Sequence, residues 1–198
     1  MKKIPTLFVR EFISKREFIL KEEVTPGMEW VLNNEGVATV KIDGSCTAII
    51  DGKFYKRYDA KQGKKVPDGA IPCSNPDPVS GHYPHWVLVN LLDNGSKWYY
   101  EAYINTDKNL LFEGTYEAIG PHFQGNPYHL EKDILVRHGI EVVEVERTFQ
   151  GIKDYLETHY IEGLVFWKDN QPQCKIKRRD FLFSWNTSNQ NDKVKPLK

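Results

Sequence analysis

The stretch Val37-Ala-Thr-Val-Lys-Ile-Asp43, followed by Gly44 and then Cys46-Thr-Ala-Ile-Ile50-Asp51-Gly52-Lys53-Phe-Tyr-Lys-Arg57, decides how this chain is read. Val37 to Asp43 reads as a strand. Asp51-Gly52 lies between two β-prone runs, Cys46–Ile50 and Lys53–Arg57. Such a dipeptide tolerates positive φ at both positions and predicts a two-residue hairpin.

Working outward, Lys97–Ile104, Glu113–Ile119, Ile140–Val145, Ile161–Trp167 and Cys174–Lys177 also read as strands, with a turn at Lys168-Asp-Asn-Gln. Helices are few. Glu131–His138 reads as a short one stopped by Gly139. Thr148 caps another that runs to about His159, with Phe149, Ile152, Tyr155 and Leu156 at helical spacing. Gln62 to Pro84 is rich in Pro, Gly, Ser and Asp and reads as a long loop. Gly120-Pro121 and Gly125-Asn126-Pro127 mark another. The first 35 residues give no reading. From Asn186 the tail is polar and is expected to be mobile. The expected class is α+β with antiparallel sheets.

The 198 residues fit one domain or one domain with a small appendage, enough to bury a core. Lys+Arg and Asp+Glu balance at 27 each, which argues against a generic, strongly basic nucleic-acid coat. A local basic groove is not excluded. Lys53, Lys56, Arg57, Lys61, Lys64 and Lys65 face one acid, Asp59, with Tyr55 and Tyr58 interleaved. Such a run is a solvated loop or a track for a nucleic-acid backbone. Three cysteines, Cys46, Cys73 and Cys174, form no CxxC and point to a reducing, cytoplasmic setting. No long apolar run predicts a membrane span or signal peptide. Cys73, His82 and His85 match no zinc-finger spacing and are expected to be surface histidines and a lone thiol. Trp98, Tyr99, Tyr103 and Tyr155 are expected in the core.

Three short segments carry chemistry together. Lys41-Ile-Asp43-Gly44 alone is more often a strand entering a turn; a K-x-D-G match arises by chance in roughly 5% of chains this long. Glu162-Gly163-Leu164-Val165-Phe166 alone is a solvated acid at a strand start. Lys175-Ile-Lys177 alone is a charged edge strand. Its two lysines share one face, and Cys174 and Ile176 point to the other, towards a core. Their order and spacing weaken the accidental reading.

In that order the segments resemble the covalent nucleotidyltransferase superfamily, which includes ATP-dependent DNA and RNA ligases and mRNA capping enzymes. Tyr116-Glu117-Ala-Ile-Gly-Pro-His-Phe-Gln-Gly-Asn-Pro-Tyr128, Gly81-His-Tyr-Pro-His-Trp86-Val and Phe54-Tyr-Lys-Arg57 narrow the resemblance to stand-alone 5′-to-3′ RNA ligases related to the vertebrate enzyme. It spans roughly Val40 to Trp185.

The resemblance implies a nucleotidyltransferase core over 1–185, with two antiparallel sheets around a nucleotide cleft. A polar tail at 186–198 and no C-terminal OB-fold are expected with it. It also implies joining of 5′-phosphate and 3′-hydroxyl RNA ends through enzyme-lysyl-AMP and RNA-adenylate intermediates, with ATP and Mg²⁺ or Mn²⁺. Lys41 would be the nucleophile, kept neutral by Lys175, Lys177, Arg57 and a bound metal. Lys175 and Lys177 would clamp phosphate, and Arg57 would contact the nucleotide or the 5′-phosphate. Glu162 would hold the metal. Glu117 would bind the ribose hydroxyls or help the metal. Asp43 either orients the lysine or a metal-bound water, or is a strand-to-turn residue. The alternatives are a compact DNA ligase and a catalytically silent nucleotide- or RNA-binding module.

Overall fold

A computed structural model of the chain describes residues 3–14, 17–78 and 80–186. Asp51 and Gly52 have φ of 50° and 68°, so both turn positions are left-handed. They join β4 (Ser45–Ile50) to β5 (Lys53–Lys61) in the expected antiparallel hairpin. The class is α+β, every pairing between named strands is antiparallel, and two α-helices are present among the described residues. The chain divides into two compact units, one over Asp43–His138 and one of Ile4–Ile42 with the chain from Gly139 onward.

The first unit holds a six-stranded sheet in the order β6 (Ile71–Pro72), β7 (His82–Leu88), β5, β4, β8 (Gly114–Ile119), β9 (Ile134–Arg137). On one face Ile49, Tyr116, Ala118 and Leu135 pack with Phe123 and with Ala102 of helix α1 (Lys97–Asn105). On the other, Ala48, Tyr55 and Trp86 form a smaller cluster with Cys46.

Three expectations fail in this unit. Lys97–Ile104, read as a strand for its aromatics, is α1. Asp93 accepts hydrogen bonds from the Gly95 N–H at 3.0 Å and the Ser96 hydroxyl at 2.9 Å, setting the short turn that feeds the helix. Tyr99, Ala102 and Tyr103 then meet the sheet at i, i+3, i+4 spacing, and packing overrides strand propensity. Glu131–His138, read as a helix, contains β9, because Ile134, Leu135 and Val136 pair with Ile119, Ala118 and Glu117. Within the expected long loop, Ile71–Pro72 and His82–Leu88 are strands. Pro84 lacks an N–H, yet its carbonyl accepts from the Cys73 N–H at 2.9 Å and keeps the ladder going.

The second unit holds a three-stranded sheet in the order β11 (Gln171–Lys177), β10 (Gly163–Lys168), β3 (Val37–Lys41). Asp169 and Asn170, at φ of 53° and 57°, make the tight turn between β10 and β11. One face of the sheet is apolar: Ala38, Leu164, Phe166, Cys174 and Ile176 pack on Ile152 and Leu156 of helix α2 (Phe149–Thr158). Each of those two helix side chains is fully buried, which stabilises the fold by about 1.5–3 kcal/mol apiece. The Thr148 hydroxyl caps α2 by accepting from the Gly151 N–H at 2.9 Å, as expected.

The unread N-terminal residues supply a third, two-stranded sheet, β1 (Phe8–Phe12) with β2 (Phe18–Val24). The segment before β1 also covers the β11 edge. Lys175 donates its N–H to the Pro5 carbonyl at 3.0 Å and accepts from the Leu7 N–H at 2.7 Å. Ile140–Val145 forms no strand, although it lies along β3 through the Val40 N–H to Glu141 carbonyl bond (2.9 Å) and the Val143 N–H to Ala38 carbonyl bond (3.0 Å). From residue 187 the expected mobile tail lies outside the described residues. No described helix is long and apolar enough to cross a membrane.

Candidate functional site

In the second unit, β3, β10 and β11 bring Lys41, Gly163 and Lys177 level with one another. Gly163 pairs with Lys41 on one side and with Lys177 on the other. Directly opposed residues in an antiparallel ladder share a face, so the two lysines flank a position with no side chain. That position must be glycine: a Cβ there would lie 2.2 Å from the Ile176 carbonyl oxygen and 2.8 Å from the Lys177 Cα. Lys175 lies two residues along the same face, while Cys174 and Ile176 are fully buried on the other. The lysine-face expectation from the sequence holds.

Glu162, which immediately precedes β10, is buried. Its Oε2 accepts from Lys41 Nζ at 2.6 Å and its Oε1 from Lys177 Nζ at 2.7 Å. One carboxylate therefore serves two ammonium groups. Lys177 has its pKa lowered, first by burial and also by the charge of Lys41, with Glu162 acting the other way. The surroundings of Lys41 thus differ from the expected ring of cations, because a carboxylate is its nearest charged partner. Both Glu162 oxygens are engaged by ammonium groups. In this arrangement Glu162 is the counter-ion of two lysines.

Arg178, next along the chain, is structural. Its guanidinium donates to the carbonyls of Leu156, Ser184 and His159, which ties the end of β11 to the C-terminus of α2.

The remaining expected site residues belong to the first unit. Asp43 follows the end of β3, and its N–H donates to the Tyr128 hydroxyl at 2.7 Å. Gly44 is fixed by contact, since a Cβ would lie 2.3 Å from the Ala118 carbonyl oxygen. The Gln124 amide donates to the Gly44 carbonyl at 3.2 Å. Asn126 pins its own loop through paired bonds with Leu130. The Gly-Asn-Pro-Tyr segment therefore clamps the Asp43-Gly44 turn.

Arg57, on β5, bonds Asp59 through Nε at 3.0 Å. Burial alone would lower its pKa, but the charges of Cys46, Asp59 and Glu117 leave it raised. In the basic run, Lys56 is paired with Asp93 at 2.7 Å, and Lys61, Lys64 and Lys65 are exposed.

Glu117 is buried on β8 and meets His138 Nε2 at 2.6 Å. Cys46 lies directly opposite Glu117 across β4 and β8. Burial, and secondarily Glu117, push the Cys46 thiol up to about 12. The sequence pattern assigns no chemistry to Cys46 or His138. Cys46 looks like a small core residue on a strand, and His138 ends a segment read as helix, so only cross-strand register brings them together.

His122 is held between Trp98, stacked at 3.3 Å, and Asp133 at 2.7 Å from Nδ1. Trp98, Tyr99, Tyr103 and Tyr155 pack against the cores as expected. His85, expected at the surface, is buried with Nδ1 2.8 Å from the Tyr83 carbonyl.

No protein-family model matches the chain, and no curated protein matches its sequence.

Proposed function

We propose that this protein is an ATP-dependent RNA ligase on a nucleotidyltransferase core, with Lys41 as the residue that takes up AMP. The observation that carries this reading is the level placement of Lys41 and Lys177 about Gly163, with Glu162 bound to both. The three motif segments, more than 100 residues apart at their extremes, meet in one sheet.

In this reading the Lys41 amine attacks the α-phosphorus of ATP. An N–P bond forms, the bond to the bridging oxygen breaks, and pyrophosphate leaves with the electron pair. A 5′-phosphate then takes the AMP, and a 3′-hydroxyl displaces it. Catalysis of this kind is mostly positioning and charge stabilisation. Lys177, with Lys175 on the same face, supplies positive charge for phosphate oxygens. Arg57, Glu117 and Asp43 enter the reading through the resemblance. Glu162 would hold Mg²⁺ or Mn²⁺ together with phosphate oxygens and waters, and the ion would supply charge stabilisation at the phosphates. The free thiols of Cys46, Cys73 and Cys174 agree with a reducing, cytoplasmic setting.

The test is covalent labelling. Protein incubated with α-labelled ATP and a divalent cation should carry label after denaturation, and Lys41→Ala should carry none. Equal label on both, or none on the wild type, refutes the reading. Sealing of 5′-phosphorylated RNA against nicked DNA then separates RNA ligase from DNA ligase.

A further inference from the structure

Cys46, Glu117 and His138 each offer a ligand atom, and the three atoms lie within 4.8 Å of one another. We propose that they form a binding site for a borderline-soft divalent ion of the zinc type, with a fourth position left for water.

Three observations carry this. First, the ligands are placed by the sheet. Cys46 and Glu117 are opposed across β4 and β8, and His138 directly follows β9. Second, the imidazole is oriented from behind. His138 Nδ1 lies 3.0 Å from the Thr115 hydroxyl, and the His138 N–H donates to the Thr115 carbonyl at 3.1 Å. This leaves Nε2 turned to Glu117, and such outer hydrogen bonds typify metal-binding histidines. Third, the charges suit a divalent ion. A thiolate and a carboxylate neutralise it, and Arg57, the cation that acts on both Cys46 and Glu117, is paired with Asp59.

The donor set selects the ion. Thiolate and imidazole favour zinc over Mg²⁺, which takes oxygen ligands. Tetrahedral zinc needs N···O separations of about 3.3 Å and S···N separations of about 3.6 Å. The Glu117–His138 contact of 2.6 Å must therefore open by roughly 0.7 Å. Binding displaces the thiol proton.

A second group, Glu101, His122 and Asp133, is also close enough to be considered. It contains no sulfur, and Asp133 already accepts from both the His122 ring and the His122 N–H.

The proposal does not depend on the ligase reading, and its test reads metal rather than sealing. Metal-free protein is dialysed against Zn²⁺, or against Co²⁺ for spectroscopy. One ion should be retained per chain, and the cobalt form should show a thiolate-to-metal charge-transfer band. Cys46→Ser should abolish the band, and His138→Ala should lose the ion even if the serine variant folds poorly. Thr115→Val should weaken binding about 10–100-fold. Cys73→Ser should change nothing. Failure to retain Zn²⁺, equal competition by Mg²⁺, or a band that survives in Cys46→Ser would overturn the site.

Discussion

Replacing Glu162 with Gln keeps the shape of the side chain and removes the charge shared by Lys41 and Lys177. The side chains of Glu162, Lys41 and Lys177 are 5%, 19% and 14% exposed, so the set is largely withdrawn from water. Removing one partner of a buried ion pair costs about 3–5 kcal/mol. Here the amide oxygen still accepts one bond and the lysines keep some access to solvent, so about 2–3 kcal/mol is expected. For a chain of this size that lowers Tm by about 5–10 °C.

The loss should also depend on pH. The Lys177 pKa is lowered from 10.5, by burial first. A group whose folded pKa lies below its unfolded value contributes stability that is present above the unfolded pKa. That contribution is lost as pH falls through the folded pKa. Without Glu162 the folded pKa drops further, and the unfavourable range extends towards neutrality. The gap between wild type and variant is therefore widest near neutral pH and narrows as pH approaches 10.5. Calorimetric melts at pH 7 and near pH 10 measure it. A Tm unchanged at pH 7, or a gap equal at both pH values, would refute a charge-sharing role for Glu162.

Two other substitutions address the same face. Gly163→Ala should push β11 from β10, because the new methyl meets backbone on β11; a loss of about 1–3 kcal/mol or more is expected in denaturant melts. Lys177→Arg keeps a positive charge but cannot give up its proton. Under the ligase reading it should retain ATP binding, slow adenylation and flatten the alkaline rise of the rate, as single-turnover labelling across pH would show.

The parts of the fold that could be read from sequence are those set by local chemistry. Asp51-Gly52 fixes a hairpin because both positions need positive φ. Thr148 marks a helix start because its hydroxyl satisfies a free N–H. The alternation of Cys174, Lys175, Ile176 and Lys177 divides core from solvent. The parts that could not be read depend on distant partners. Trp98 to Tyr103 carry strand propensity, and only docking on Tyr116 and Leu135 makes them a helix. Ile140–Val145 has a strand's alternation but forms only scattered bonds to β3. At the candidate site the lysines were visible as a pattern. The sharing of Glu162 between them was not, because it depends on the register of three strands.

That sharing changes how the adenylation reading must work. A lysine nucleophile needs a free electron pair, and the nearest charged partner of Lys41 is a carboxylate that favours its ammonium form. Cations crowding Lys41 therefore cannot be the whole answer. Glu162 bridges Lys41 to Lys177 through its two oxygens, and the lowered pKa belongs to Lys177. Burial, together with the excess positive charge of two ammonium groups on one carboxylate, makes the Lys177 proton easier to lose than that of a free lysine. Lys177 stands two hydrogen bonds from Lys41, by way of Glu162. Under the ligase reading the proton that Lys41 must lose to attack has Glu162, the carboxylate bound to it, as its nearest acceptor. Lys177 supplies positive charge as negative charge builds on the phosphate. Lys177 would thus serve as a phosphate clamp with a labile proton, and an arginine at that position could serve only as a fixed charge.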